Sequence, residues 1–340
     1  MPSDKADRGP ADRPYHHLPD GRFRNPPGSP RRYTTSFDLI RFMWRHWRRR
    51  DPAVAVPEGH LLPEGEVLRQ LQRHAGRDSL TWLGHASFLI RIGGRTLLTD
   101  PYLGLTAGPA GFGPKRFAPP ALAAGALPPI DLLLVSHNHY DHLDAPTLAA
   151  LPGKERIEVL TPLRLGAFFR RLGYARVHEL DWYDVRRFDG LEVTALPAVH
   201  FSRRAAFDRN RTLWAGFAVR AVGQHLYFSG DTAYGAVFRE IGRRLGPFDL
   251  GLVGIGAYMP RRIMQSSHTT PEEALQLARD IGAARVLGMH WGTVALTDED
   301  PFEPPARFRR AAEAQGLGPD RAWLMAIGET RALPGPWPRN

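Results

Sequence analysis

Cysteine is absent from this chain of 340 residues. Its absence excludes disulfide bonds and thiolate metal sites, so a metal site would have to use histidine and carboxylate side chains. No apolar run of about 18 residues occurs, so the sequence predicts no transmembrane helix. Residues 1–28 lack the apolar stretch of a secretory signal peptide. We therefore expect a cytoplasmic protein, with peripheral attachment to the inner membrane face as an option.

Acidic residues are scarce between residues 22 and 50. Residues 22–50 contain nine arginines and one acid, Asp38, which is +8 of a formal net charge of +10. Apolar residues recur there at helical spacing, at positions 37, 40, 43, 44 and 47, with arginines between them. This pattern predicts a basic amphipathic helix. We expect a disordered tail over residues 1–30, because they are rich in Pro, Gly and charge, and a basic extension over residues 31–78.

Three roles compete for the predicted helix. Its apolar face could pack onto the rest of the protein, or it could lie on an anionic membrane with aromatic residues in the interface. It could also act as a nucleic-acid arm, although no recognised nucleic-acid module accompanies it. No nucleic-acid partner is therefore expected, and the sequence is compatible with a homodimer.

The remaining sequence is that of a globular α/β domain over residues 79–330, because 43% of residues are hydrophobic and 24% charged. A strand over residues 80–92 and one over 95–99 predict a hairpin, and residues 101–130 predict a long loop. Strand-like and helical segments then alternate up to a helix that begins after Thr270 with a capping box. The pattern predicts two mixed β-sheets flanked by helices, in four αββα layers.

A cluster of metal-binding residue types follows the apolar run at residues 131–135. It contains His137, His139, Asp141 and His142 within six positions. A loop after a strand end can direct such side chains toward one or two ions. Imidazole and carboxylate ligands suit zinc, and iron or manganese as alternatives.

Three more candidate ligands end later strand-like runs. They are His200, Asp231 within the segment Ser229-Gly230-Asp231-Thr232, and His290. Each has an ordinary alternative role, as a buried histidine or a helix cap. Together they predict that one edge of a sheet collects the whole set.

These motifs resemble the metallo-β-lactamase superfamily. Further segments resemble N-acyl-phosphatidylethanolamine-hydrolysing phospholipase D and its bacterial relatives, over about residues 22–300. They lie at residues 81–87, 98–101, 136–144, 179–182, 213–214, 268–274 and 289–293.

The resemblance implies a four-layer fold, a di-zinc centre and a metal-bridging hydroxide that attacks a phosphodiester. One zinc would be held by His137, His139 and His200, and the other by Asp141, His142 and His290, with Asp231 between them. Asp141 would also act catalytically on the water. The substrate would be N-acyl-phosphatidylethanolamine, and the products phosphatidic acid and an N-acylethanolamine.

Three other residues are candidates for roles in the site. Asp100 could orient a metal-bound histidine through its other ring nitrogen, or could be an ordinary turn residue before Pro101. His268 precedes the helix that Thr270 caps, and the resemblance makes it a substrate-contacting or proton-donating residue. Tyr140 is a candidate substrate contact.

Two functional alternatives stay open. The same fold hydrolyses other substrates, and the segment Gly84-His85-Ala86-Ser87 also resembles sugar-phosphate lactonases. A non-enzymatic protein whose basic arm binds membrane or nucleic acid is the third hypothesis. The complete set of candidate ligands argues against that last one.

Overall fold

A computed structural model describes residues 14–31, 33–48 and 54–335. Seven strands form a first sheet in the order β14-β1-β2-β3-β4-β5-β6. Their bounds are β1 (Ser79–Gly84), β2 (Ser87–Ile92), β3 (Arg95–Thr99), β4 (Leu132–Leu134), β5 (Glu158–Pro162), β6 (Arg176–Leu180) and β14 (Thr330–Ala332). Strands β3 to β6 run parallel, whereas β14, β1, β2 and β3 pair antiparallel.

A second seven-stranded sheet has the order β13-β12-β11-β10-β9-β8-β7. Its strands are β7 (Val185–Phe188), β8 (Leu191–Leu196), β9 (Gly216–Ala221), β10 (Gln224–Phe228), β11 (Leu250–Gly254), β12 (Val286–Met289) and β13 (Ala322–Trp323). Strands β10 to β13 are parallel, and β7 to β10 are antiparallel. Both sheets are therefore mixed, as predicted.

The described residues also form helices, several of which pack on the outer faces of the two sheets. They are α1 (Ser36–Arg48), α2 (Glu64–Arg73), α3 (Ala145–Ala150), α4 (Gly166–Arg171), α5 (Val237–Leu245), α6 (Arg261–Met264), α7 (Pro271–Asp280) and α8 (Glu303–Ala314). Helix α4 contacts β6, and α2 contacts β14, whereas α7 contacts β11 and β12 and packs between α5 and α8. The predicted four-layer architecture is confirmed.

The central strands are buried on both faces because each sheet lies between the other sheet and its helices. All residues of β1, β4 and β12 are buried. This explains their nearly continuous apolar sequences. The polar side chains that follow such strands are consequently held at a sheet edge, inside the molecule.

Several elements differ from the prediction. Residues 80–92 form two antiparallel strands, β1 and β2, because Gly84 has a φ of 100° and His85 a φ of 56°, which reverses the chain. The helix capped by Thr270 has its predicted capping box, but α8 follows it. Strands β7 and β14 were also not predicted, and residues 101–130 contain two short 3₁₀ turns within the expected loop.

The prediction of a disordered tail is wrong for residues 14–30. Phe23 is buried, and its backbone N–H donates to the carbonyl of Asn210 at 2.8 Å. The rings of His16 and His17 both hydrogen-bond to the carboxylate of Asp181, at 2.6 and 2.7 Å. We call residues 14–31 the N-terminal strap. Residues 1–13 lie outside the described part of the chain.

Helix α1 spans the region in which an amphipathic helix was predicted. Phe37, Ile40 and Trp44 are 72%, 65% and 52% exposed, so much of the surface of these apolar side chains is accessible. Two ion pairs connect the helix to the domain: Arg45 with Asp298 at 2.9 Å, and Asp38 with Arg262 at 3.5 Å. Among the helices of residues 14–31, 33–48 and 54–335, none is long and apolar enough to cross a membrane.

Candidate metal centre

The predicted ligands lie just beyond the ends of four strands. His137, His139, Asp141 and His142 follow β4, and the other three follow strands of the second sheet: His200 after β8, Asp231 after β10 and His290 after β12. The structure brings all seven together in two groups, and six of them are buried. The predicted residues do lie together, but the prediction of a single sheet edge is wrong, because four of them follow a strand of the first sheet and three follow strands of the second.

A glycine allows two of these loops to approach each other. Gly230 precedes Asp231 and has a φ of 54°. A Cβ atom at this position would lie 2.5 Å from the Cβ of Ser136, the residue before His137. Only glycine fits both the conformation and the space, which explains the Ser229-Gly230-Asp231 sequence.

The first group consists of His137, His139, His200 and Asp231. Nε2 of His137 lies 2.8 Å from Nδ1 of His139, and that Nδ1 lies 3.2 Å from Nε2 of His200. The nearer carboxylate oxygen of Asp231 is 3.9 Å from Nε2 of His137 and 3.8 Å from Nε2 of His200. Three imidazole nitrogens therefore face one point.

Asp100 fixes the protonation of two histidines. Its Oδ2 accepts hydrogen bonds from the Ser136 hydroxyl at 2.5 Å and from Nδ1–H of His142 at 2.7 Å. Because the Ser136 hydrogen is used there, its oxygen accepts from Nδ1–H of His137 at 2.9 Å. Both rings consequently carry a hydrogen on Nδ1, which makes Nε2 the atom that faces the centre. The predicted role of Asp100 in orienting a histidine therefore has the required contact.

His200 is oriented in the same way by a backbone carbonyl. Its Nδ1 lies 2.9 Å from the carbonyl oxygen of Ser267, which can only accept a hydrogen bond. Nδ1 must carry the hydrogen, and Nε2 is left with its lone pair facing His139. Outer contacts of this kind set the tautomer of metal-binding histidines.

The second group consists of His85, Asp141, His142 and His290. Nε2 of His142 and Nε2 of His290 lie 3.3 Å apart. Asp231 reaches this group as well, with one oxygen 3.1 Å from His142 and the other 3.1 Å from His290. Asp231 thus lies between the two groups, as predicted.

Burial and mutual contacts set the charge state of the centre. Burial lowers the pKa of His139 to about 4 and that of His200 to about 3, so both rings are neutral at pH 7, the form that binds a metal. Burial alone would raise the pKa of Asp231, but the neighbouring His142 and His290 outweigh it and hold this pKa well below its usual range. Burial would likewise raise the pKa of Asp141, but His142, with His290 and His85, outweighs it and holds this pKa well below its usual range. Burial alone would also lower the pKa of His142 and of His290, but Asp231 and Asp141 outweigh it and raise the first well above its usual value and the second to about 9. Without a metal, these two rings therefore carry the positive charge that balances the carboxylates.

His85 belongs to the centre but received no role from the sequence. Its Nε2 lies 2.9 Å from Oδ2 of Asp141, and its carbonyl accepts the backbone N–H of His290 at 3.0 Å. Both histidines have positive φ, 56° and 64°. The available signal was a histidine directly after a glycine at the end of an apolar run, which is where the other candidates also occur.

The remaining candidates differ in position. Nδ1 of His268 lies 3.9 Å from Asp231, so this residue faces the centre, and burial lowers its pKa to about 3. The hydroxyl of Tyr140 donates to the carbonyl of Arg204 at 2.9 Å, and the Arg204 guanidinium covers its ring. Arg204 also donates to the carbonyls of Asn138 and Leu143, so it stabilises the loop that carries His137 to His142.

These residues fit a pair of metal ions. Lone pairs of neighbouring imidazoles and carboxylate oxygens repel one another at 2.8 to 3.3 Å unless a proton or a cation lies among them. All candidate ligand atoms within each group lie within 4.8 Å of one another. Nitrogen and oxygen donors without sulfur suit zinc, iron or manganese.

Comparison with known proteins places the chain in a family. Residues 95–291 match the family described as Beta-lactamase superfamily domain. The chain belongs to this superfamily. A relative from Caenorhabditis elegans named N-acyl-phosphatidylethanolamine-hydrolyzing phospholipase D 1 is 38% identical, over 69% of this chain and 70% of its own. A UPF0173 metal-dependent hydrolase of Pelotomaculum thermopropionicum is 31% identical, over 69% of this chain and 92% of its own. Both relatives are named as hydrolases, and one of them as metal-dependent.

Two further comparisons concern fold and length. A possible metal-dependent hydrolase from Veillonella parvula superposes with a TM-score of 0.61 at 16% identity, over 76% of this chain and all of that one, which supports the fold alone. An uncharacterized protein of Mycobacterium tuberculosis is 40% identical over 71% of this chain. The present chain covers 66% of the length of that relative.

Proposed function

We propose that the protein is a metal-dependent phosphodiesterase that hydrolyses N-acyl-phosphatidylethanolamine to phosphatidic acid and an N-acylethanolamine. The observation that carries this proposal is the pair of residue groups joined by Asp231, in a chain 38% identical to a relative named for that reaction. The superfamily match, residues 95–291, includes every proposed ligand.

Two zinc ions are the proposed metals. His137, His139 and His200 would hold one and Asp141, His142 and His290 the other, with Asp231 between them. Zinc would supply Lewis acidity toward the phosphoryl oxygen and lower the pKa of water to about 7.

Side chains of the site would then orient the attacking water and the substrate. Asp141, whose carboxylate also contacts His85, is the proposed group that orients the attacking water and receives its proton. His268 would donate a hydrogen bond to a phosphoryl oxygen or the leaving group, since its neutral ring still carries one N–H. Tyr140 would contribute its ring edge rather than its hydroxyl, which is already bonded to Arg204.

Helix α1 is the proposed contact with an anionic membrane. Its exposed residues Phe37, Ile40 and Trp44 lie at helical spacing, and the surrounding segment carries the excess of arginine. Aromatic and aliphatic residues beside arginines suit the interface of an anionic bilayer. An enzyme on the cytoplasmic face of a membrane would meet its lipid there.

The experiment compares three substrates with zinc-loaded protein: N-acyl-phosphatidylethanolamine in mixed micelles, a soluble phosphodiester and a lactone. Asp231→Asn is the control and should lose more than about 100-fold in activity, because even outer contacts of a metal site are worth about 10 to 100-fold. In ¹⁸O-water, attack at phosphorus places the label in phosphatidic acid. Label in the alcohol product, or no lipid turnover, would contradict the proposed reaction.

Hydrolysis of a soluble substrate such as a sugar-phosphate lactone is the second candidate. It is favoured by the Pelotomaculum relative, which matches over 92% of its length and is named only as a metal-dependent hydrolase. Turnover of the lactone alone, lost in Asp231→Asn, would support this candidate and reject the phospholipase.

A further inference from the structure

The N-terminal strap lies outside residues 95–291, which match the superfamily, yet it reaches the metal centre. Three contacts hold it on the domain. His16 and His17 bind Asp181, Phe23 is buried beneath the guanidinium of Arg164 at 4.8 Å, and Phe23 pairs through its backbone with Asn210. The strap therefore has a fixed course past the loop that carries His200.

Asn25 is the strap residue that contacts this loop. Its side-chain oxygen accepts the backbone N–H of His200 at 2.9 Å and the indole N–H of Trp214 at 3.1 Å. The same indole N–H also lies 2.9 Å from the carbonyl of Ala198. One amide oxygen thus connects the strap to a proposed metal ligand and to the indole beside it.

His200 needs such a partner because it lies beyond the regular part of its strand. Strand β8 ends at Leu196, so no neighbouring strand accepts the backbone N–H of His200. A buried N–H without an acceptor is unfavourable and allows the chain to shift. His200 is held at two points: its main chain by Asn25 and its ring by the carbonyl of Ser267.

We propose that Asn25 is a positioning residue of the metal centre, which fixes the main chain of His200 so that Nε2 stays directed at the ion. The N-terminal strap is then part of the metal site. The proposal rests on the metal-binding part of the proposed function and is independent of the substrate. It concerns metal affinity first and turnover second.

Three variants of the full chain test it. Asn25→Leu keeps a similar size and removes the acceptor, whereas Asn25→Asp keeps an acceptor oxygen. Arg22→Ala is the matched control on the same strap, because Arg22 is exposed and its side chain pairs with Asp20. Zinc affinity is measured by competition with a chromogenic chelator, and Tm is measured with and without zinc.

We expect Asn25→Leu to bind one of the two zinc ions about 10 to 100-fold more weakly, as for other outer contacts of metal sites. The rise in Tm on adding zinc should shrink with it, because a ligand stabilises the folded state according to its affinity. Asn25→Asp and Arg22→Ala should stay within about threefold of the wild type in zinc affinity.

Other outcomes overturn the proposal. If Asn25→Leu lowers Tm equally with and without zinc while its zinc affinity is unchanged, Asn25 only stabilises the fold. If Arg22→Ala weakens zinc as much as Asn25→Leu, the effect belongs to the strap in general. A wild type that binds no zinc, iron or manganese would reject the proposed function together with this inference.

Discussion

The metal centre and helix α1 are attached to the domain in opposite ways. Each ring of the centre that donates an outer hydrogen bond, such as His142 to Asp100, is buried together with its acceptor. Helix α1 is connected through half-exposed ion pairs, and three of its apolar residues face outward. The buried centre holds the candidate metal ligands. Helix α1, in contrast, presents apolar side chains at the surface, where they could contact a partner.

Among the variants that test this contrast, Asp100→Asn should have the largest effect, a loss of zinc affinity. An asparagine has one acceptor oxygen and an NH₂ group, whereas Asp100 accepts from the Ser136 backbone and hydroxyl and from His142. Because two histidines depend on it, we expect zinc affinity to fall by roughly 100-fold, the upper end of the usual range. Chelator competition measures this.

The control for this variant is Asp131→Asn. Asp131 also accepts a backbone N–H, that of Thr96 at 2.8 Å, but at the opposite end of β4. The zinc affinity of Asp131→Asn should equal that of the wild type. Wild-type affinity in Asp100→Asn would mean that the tautomers of His137 and His142 are fixed without this carboxylate.

A smaller effect is expected from removing the apolar side chains of α1. Burying such a side chain completely contributes about 1.5 to 3 kcal/mol. In the triple variant Phe37→Ser, Ile40→Ser and Trp44→Ser, binding to anionic phospholipid vesicles should weaken at least about tenfold in cosedimentation. Turnover of a soluble phosphodiester should not change.

The matched control is Val222→Ser, since Val222 is 94% exposed in the turn between β9 and β10, on another element. It should bind vesicles like the wild type. Unchanged vesicle binding by the triple variant would assign the surface of α1 to something other than a membrane.

The smallest effect concerns the attachment of α1. Arg45→Ala removes the 2.9 Å pair with Asp298, and exposed or half-exposed pairs contribute about 0 to 1 kcal/mol. The free energy of unfolding in urea should fall by no more than about 1 kcal/mol, with soluble turnover unchanged. A larger loss would show that α1 is integrated into the core, and the contrast with the metal centre would not hold.

The sequence could predict the four-layer fold and the seven candidate ligands because both depend on local patterns. Apolar runs mark buried strands, and a polar residue after such a run lies at a sheet edge whatever the strand order is. The capping box at Thr270 is equally local, since its donor and acceptor are three residues apart.

The missed features depend on contacts between distant segments. The turn that separates β1 from β2 is marked in the sequence mainly by Gly84 and His85, and the apolar residues resume directly after it, so His85 was placed inside one expected strand. The composition of the N-terminal strap predicts disorder, whereas contacts with distant residues such as Asp181 and His200 give it a structure. Strand β14 is three residues long and is recognisable only through its pairing with β1.

The pairing of β14 with β1 also governs the order in which the protein can be made. Thr330 lies opposite Thr81, so these partners are separated by about 250 residues of chain that include the whole second sheet. Contacts of such long sequence separation form slowly. During translation, the β1 edge of the first sheet therefore stays open until both sheets have otherwise been synthesised, and its unpaired backbone groups are exposed for that period to strands of other nascent chains.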